Sequence, residues 1–322
     1  MGIIDALSDG FRGVAKRPGL LTLPILVDVC LWLAPRLSVD SLLLRSMPSP
    51  TDVAGLGQPY EQFFEASRAM LQDGQATTNL WAAFSLRAVG LSSLTAETLV
   101  PSVPWQVGQA VIEIQSWTAA LGCSVLLAAT SLLVALFILA LLAQVTREEG
   151  VEVLHVLGVT VRSWARMVGA SVAGILIVAV LGGSAVVIIL LLNALNAQLG
   201  NLVMQAFMLS VFAAAAYVGL VFFFFVRAVV LDDTGIRRSL WSALNVVHRG
   251  FFTATVFIIL FSVIQVGLLL VWDGIARSVA GTAVSIVGNA YINMGLVLGS
   301  LIFYRERLAK WQEAAAKNAS GL

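Results

Sequence analysis

The chain has 322 residues, of which 59% are hydrophobic and only 11% are charged, and its mean hydropathy is +0.93. Soluble domains contain about 45–50% apolar and about 25% charged residues, so this composition excludes a water-soluble globular domain. The formal net charge of +1 also excludes a general electrostatic attraction to nucleic acid.

Six apolar runs are long enough to enter a bilayer, whose hydrocarbon core of about 30 Å takes about 20 helical residues to cross. Each should be an α-helix, because a helix satisfies its own backbone hydrogen bonds in lipid. The first run is the weakest, since it is short and contains Pro24 and Asp28. The sequence therefore predicts an all-α integral membrane protein with six transmembrane helices, at residues 19–36, 118–144, 168–192, 203–227, 252–274 and 283–304.

A basic amphipathic stretch precedes the first, third and fifth runs. Apolar residues recur in it at helical spacing opposite basic residues, which is typical of a helix lying in the membrane interface. The pattern predicts three repeats of an interfacial helix followed by a helical hairpin. The three stretches are Ile3–Lys16, Val151–Arg166 and Ile236–Arg249, within the segments 1–18, 145–167 and 228–251. The side chains expected to contact anionic headgroups are Arg12, Lys16, Arg162, Arg166, Arg238 and Arg249.

An acidic pair lies before two of the basic stretches, at Glu148–Glu149 and Asp232–Asp233. Acidic side chains near a helix N-terminus complement the helix dipole, which explains both pairs as capping groups. The only histidines, His155 and His248, lie on or beside the polar faces of two stretches. Too few ligands converge in the sequence to predict a metal site.

The basic residues also predict an orientation. The segments 1–18, 145–167, 227–251 and 305–322 hold 14 of the 19 Lys and Arg residues, including Arg227 at the end of the fourth run. Because cytoplasmic loops carry an excess of Lys and Arg, both termini are expected in the cytoplasm.

The remaining long segment, residues 37–117, then lies outside the cytoplasm. It is mildly acidic and interrupted by proline and glycine, and Tyr60–Gln72 and Leu80–Leu91 have the pattern of short amphipathic helices. We expect this segment to form a helical cap rather than an independent domain. The terminal segment 305–322 is expected to be a cytoplasmic tail.

The segment around the third basic stretch has a recognisable pattern. The run Val226–Phe252 contains the end of a span, an acidic pair and glycine, then an amphipathic helix with Ser and Arg before the next span. It resembles a loose group of bacterial polytopic proteins that includes the membrane domain of some glycerophosphodiester phosphodiesterases and YciC-like proteins. The resemblance covers roughly residues 120–305 and implies a helical fold in a bacterial inner membrane. It implies no phosphodiesterase activity, because the catalytic domain has no counterpart here.

Polar side chains within the apolar runs are the candidates for a functional site. An ionised Asp28 in the middle of a span would cost about 2.5–3.5 kcal/mol, so it should face the protein interior with a partner. It is either a proton or cation site, or a hydrogen-bonded structural carboxyl. The amides Gln205, Gln265, Asn289 and Asn293 complete the candidate intramembrane polar site, and the last two share one helix face.

The sequence contains no nucleophile elbow, phosphate loop, zincin helix or cysteine–histidine cluster. We therefore expect no enzyme, no catalytic residues and no cofactor. Two functions remain open: a scaffold, accessory subunit or assembly factor of a membrane complex, or a transporter or lipid-handling protein with a polar site around Asp28. The expected partners are membrane lipids and other membrane protein subunits. Convergence of the polar groups on one water-accessible cavity would favour the transporter.

Overall fold

The computed structural model describes the chain in seven stretches, at residues 2–49, 58–72, 78–84, 90–97, 111–146, 152–233 and 235–320. The expectation of an all-α fold is confirmed, because helices dominate these stretches and the one sheet within them is a parallel pair of three-residue strands, β1 (Arg36–Ser38) and β2 (Val111–Glu113). The helices, in chain order, are α1 (Ile3–Lys16), α2 (Thr22–Leu33), α3 (Asp40–Ser46), α4 (Gln58–Gln72), α5 (Leu94–Glu97), α6 (Trp117–Thr146), α7 (Val153–Leu195), α8 (Ala197–Asp232), α9 (Ile236–Arg249), α10 (Phe251–Ile275) and α11 (Val279–Ser320).

Five helices in the described part of the chain are long and apolar enough to cross a membrane: α6, α7, α8, α10 and α11. These helices make the protein membrane-associated. The most buried is α11, which contacts α1, α2, α6, α8, α9 and α10. Aromatic rings fill the core beside it, where Phe257 stacks on Phe303 at 4.3 Å between ring centroids and Phe224 stacks on Phe303 and Tyr304.

The first apolar run differs from the prediction of a transmembrane helix at residues 19–36. Its residues form a 3₁₀ turn, Pro18–Leu21, followed by the 12-residue α2. At 1.5 Å per residue, α2 is about 18 Å long, which is too short to cross a bilayer alone. The helix ends at Leu33 because Pro35 disfavours the helical conformation of Ala34.

The first basic stretch also differs from the prediction, because protein covers its apolar face. Helix α1 lies antiparallel to α11, with Leu7 beside Gly299 and Phe11 beside Gly295 and Tyr291. The glycines allow this contact: a Cβ at Gly10 would be only 2.4 Å from the backbone oxygen of Gly295. Leu7 and Val14 on the apolar face of α1 are thus buried against protein, whereas Ile4 on the same face stays 77% exposed.

The second basic stretch departs from the predicted repeat, which is therefore not confirmed. The second has no separate interfacial helix, because residues from Val153 onward are the first turns of the 43-residue α7, which continues into the predicted span. Nothing breaks the helical pattern between Arg166 and Gly169, so the helix propagates through the expected boundary. The first and third stretches each form a separate helix with the predicted bounds, α1 and α9, and α9 ends at Gly250 before α10 begins.

The hairpin of α7 and α8 extends away from the other helices. In the most apolar 18-residue window of the candidate span Val153–Ala185, 6% of the residues are buried, against 72% in the corresponding window of α11. Beyond about residue 170 the described side chains of α7 are almost all exposed, as are those of the first half of α8.

Part of the predicted cap is packed inside the bundle. The described portion of Leu80–Leu91 forms a 3₁₀ helix only at Leu80–Phe84, where Ser131 of α6 donates a hydrogen bond to the Phe84 carbonyl at 3.2 Å. Residues Gly90–Ala96, named here the 90–96 segment, are buried throughout. The predicted helix at Tyr60–Gln72 is present in α4. The predicted capping pair Glu148–Glu149 lies outside the described residues.

Candidate functional site

The 90–96 segment lies in contact with α2, α10 and α11. It begins at Gly90, whose φ of +86° falls in a region that favours glycine. A Cβ there would lie 2.9 Å from both the Arg227 Nη2 atom and the Phe261 ring. Glycine is therefore required by the backbone conformation and by the close approach of two buried side chains.

Three of the four predicted amide side chains converge on the backbone of this segment. Asn289 and Asn293 both donate to the carbonyl oxygen of Ser92, at 2.9 and 3.0 Å, and Gln265 donates to that of Gly90 at 3.0 Å. The amides also bind one another, because Asn293 donates to Asn289 and Gln265 donates to Asn293, each at 3.0 Å. They therefore supply the donors that the buried non-helical carbonyls need.

Asp28 holds the other side of the segment. The carboxyl is 3% exposed and accepts hydrogen bonds from the hydroxyl groups of Ser93 and Thr95. Backbone N–H groups of Leu94 and Thr95 also donate to it. These belong to the first turn of α5, whose N–H groups have no partner within the helix, and a carboxylate is a suitable acceptor for them. Asp28 thus satisfies the beginning of a short buried helix.

A buried arginine completes the polar interior, although the sequence predicts a cytoplasmic position for it. Arg227 is fully buried in α8, donating from Nε to Ser300 at 3.1 Å and from Nη1 to the Phe223 carbonyl at 2.7 Å. Its guanidinium also lies 3.5 Å from the centroid of the Phe223 ring. The available signal was its position inside the apolar run Val221–Leu231, where a charge is expected to face the protein interior.

Gln205 does not join these groups, because it lies exposed on the projecting part of α8. Of the predicted headgroup contacts, Lys16 and Arg238 are exposed. Arg12 lies 3.5 Å from Asp9, and the guanidinium of Arg249 lies 6.0 Å from the ring centroid of Trp311.

Arg162 and Arg166 form a defined ion-pair cluster. They bind the two carboxylate oxygens of Asp233 at 2.7 and 3.0 Å, which joins α7 to the connection between α8 and α9. Partial burial alone would raise the pKa of Asp233, but hydrogen bonds and charges from the two arginines hold it below its ordinary value. Asp233 has a φ of +42°, a conformation that Asp tolerates better than most residues.

Among the described residues, no three His, Cys, Asp or Glu side chains are grouped as a metal site would need. Comparison with protein-family models, curated proteins and solved structures gives no match for this chain. The resemblance to the glycerophosphodiester phosphodiesterase membrane domain therefore stays a prediction. What the geometry supplies is a network of carboxyl, hydroxyl and amide groups that holds a non-helical segment inside a helical bundle.

Proposed function

We propose that the protein is a non-catalytic membrane scaffold, an accessory subunit or assembly factor, whose α7–α8 hairpin binds transmembrane helices of another membrane protein. The observation that supports this proposal is the exposure of the outer part of the hairpin, where the described side chains of α7 beyond about residue 170 and of the first half of α8 are almost all exposed. An apolar helix without neighbours is stable in lipid, so exposure alone does not require a partner. The glycines of α7 supply the further argument.

Several glycines of the bundle are covered by neighbours, whereas three in the projecting part of α7 are open, as are Gly122 of α6 and Gly267 and Gly274 of α10. Gly288 is covered by Trp272 and Gly295 by Phe11. At Gly174, Gly182 and Gly183, by contrast, a Cβ would meet nothing within 4 Å. Small residues in membrane helices let a second backbone approach closely, and each glycine lowers helix propensity by about 1 kcal/mol relative to alanine. Open glycines on an exposed apolar helix favour a helix of a partner subunit as the missing neighbour.

Site-specific photo-crosslinking in native membranes tests this proposal. A photoreactive residue at Val178 on α7 should give a protein adduct, and one at Leu126 on α6 is the matched control, because both side chains are exposed to similar extents, 71% and 67%. Gly182→Leu should reduce the Val178 adduct by filling the open surface. Lipid adducts alone at Val178 would refute the proposal. A product of twice the chain's mass would assign the surface to self-association instead of a partner subunit.

The topology that accompanies this proposal places both termini in the cytoplasm of a bacterial cell, with the protein in the inner membrane. The basic residue count supports it. The antiparallel course of α1 along α11 supports it as well, because the beginning of α1 then lies at the same end of the bundle as the C-terminal part of α11. Cysteines placed at Gly2 and Lys317 should both resist a membrane-impermeant thiol reagent in intact cells, and labelling of only one would refute this topology.

A second candidate function is transport or lipid handling around Asp28, which the convergence of Asp28, Gln265, Asn289 and Asn293 favours. Their donors and acceptors bind the 90–96 segment, so a substrate would have to displace that segment. Asp28→Asn in a flux or lipid-binding assay tests this alternative. Unchanged transport in that variant, with Gln205→Asn as the exposed control, would exclude a site at Asp28.

A further inference from the structure

The face of α9 that points away from the bundle combines basic and apolar side chains. The opposite face packs against α8 and buries side chains such as Ser239, Ala243 and Val247. A groove of about 650 Å³ lies against the outward face. Its described lining is Gly235, Arg237, Arg238, Leu240, Trp241 and Leu244. Helix α9 therefore has protein on one side and an open groove on the other.

The two arginines of the groove have no acidic partner among the residues that the structure describes. Both are exposed, and neither side chain forms an ion pair or a hydrogen bond with a described residue. Arg162 and Arg166 differ in this respect, because their charges are paired with Asp233. The described lining of the groove contains no Asp or Glu, so its charge is positive and an anionic occupant is complementary to it.

Apolar side chains lie directly beside these charges. Residues three and four apart are neighbours on a helix, so Arg237 and Arg238 both flank Trp241. Trp241 is 62% exposed and Leu240 is 41% exposed. An exposed indole ring is typical of the headgroup level of a bilayer. Helix α9 also connects the ends of α8 and α10, which are both apolar enough to cross a membrane, so we expect the groove at the depth of the headgroups.

We propose that the α9 groove docks an anionic phospholipid of the surrounding membrane. Its phosphate would lie at Arg237 and Arg238, because guanidinium groups match phosphate oxygens in geometry and charge. Its acyl chain would lie along Leu240, Trp241 and Leu244. A second copy of the chain fits less well, since two identical faces would bring four arginines together. The sequence predicts a general headgroup contact at Arg238, and the structure adds Arg237 and the apolar groove.

Binding of short-chain lipids to the full-length protein in detergent tests the proposal. Phosphatidylglycerol should bind at least about tenfold more tightly than phosphatidylcholine, because each arginine strengthens binding to an anionic lipid by about fivefold. Glycerophosphoglycerol, the same headgroup without acyl chains, should bind much more weakly because it does not contact the apolar side chains. Equal binding of the two lipids overturns the proposal. Glycerophosphoglycerol binding as tight as that of the lipid would assign the groove to a soluble anion and also overturns it.

Paired substitutions locate the lipid. Arg237→Gln combined with Arg238→Gln should reduce the preference for phosphatidylglycerol to about twofold or less. The matched control, Arg45→Gln combined with Arg277→Gln, removes the same charge from two exposed positions outside α9 and should retain the preference. A preference that survives in the α9 variant, or that falls equally in both variants, overturns the proposal.

Melting temperatures separate binding from folding. Arg237 and Arg238 are exposed, so their replacement by Gln should leave the melting temperature unchanged. If it falls, the double replacement by Lys, which keeps both charges, decides, and loss of the lipid preference in that variant overturns the proposal. The groove uses no residue of α7, so failure here leaves the proposed scaffold function untouched.

Discussion

Gly10→Ala should separate α1 from α11 and destabilise the protein. The added Cβ would lie 2.4 Å from the Gly295 oxygen and 2.5 Å from the Gly299 nitrogen, whereas ordinary contact begins at 3.4 Å. Both obstacles are backbone atoms of a buried helix, which cannot rotate away as a flexible side chain can. The two helices must therefore move apart by about 1 Å.

The loss in the free energy of unfolding follows from the side chains that α1 buries. Ala6 and Val14 are 0% exposed and Leu7 is 6% exposed, and burying a Val or Leu side chain contributes about 1.5–3 kcal/mol. A gap of 0.5–1 Å forfeits about a quarter to a half of the dispersion energy across a contact. The separation should therefore cost about 2 kcal/mol, within the range of about 1–3 kcal/mol for overpacked sites, and lower the folding equilibrium constant by about thirtyfold.

Unfolding of purified protein in mixed micelles, titrated with SDS and followed by tryptophan fluorescence, measures this change. The matched control is Gly174→Ala, the same substitution within a helix at a position where a Cβ meets nothing within 4 Å. The control should be neutral or stabilising by up to about 1 kcal/mol, because alanine has the higher helix propensity. The reasoning fails if Gly10→Ala is as well tolerated as Gly174→Ala.

Three further predictions concern the polar contacts. Gly90→Ala should destabilise the protein by about 2 kcal/mol in the same titration, because φ is +86° and the new Cβ would meet Arg227; an unchanged midpoint would contradict this. Asp28→Leu should cost about 3 kcal/mol, because several buried donors lose their acceptor, whereas Asp28→Asn, which keeps one acceptor oxygen, should cost less; equal losses would contradict the proposed role. The depressed pKa of Asp233 makes its ion pairs stabilising above its ordinary pKa of 3.8, and this contribution is lost as the pH falls through the lower folded-state value. Asp233→Asn should therefore reduce stability at neutral pH and flatten its decline in acid, and parallel pH profiles would contradict the assignment.

The sequence predicts the long helices because a local property, the apolar run, determines each of them. An apolar run must satisfy its own backbone hydrogen bonds, so the runs at 118–144 and 252–274 became α6 and α10 with nearly the predicted bounds. The spacing of Asn289 and Asn293 also predicted their shared helix face, and they hydrogen-bond each other. Pro35 marked the end of α2, although its effect on the length of the first run was not anticipated.

Apolar periodicity establishes which face of a segment avoids water, but not whether lipid or protein covers it. Because of that ambiguity, the sequence predicts α1 in the membrane interface, whereas the helix lies against α11. For the same reason it predicts the 90–96 segment in an outer cap, whereas the segment is buried beside Gln265. Periodicity also does not predict the interior position of Arg227, because this position depends on contacts with Ser300 and Gly90, which are distant in the chain. The sequence by itself determined the helices, since each satisfies its hydrogen bonds internally. Only the tertiary structure decided which surfaces meet, because those contacts join residues that no local pattern connects.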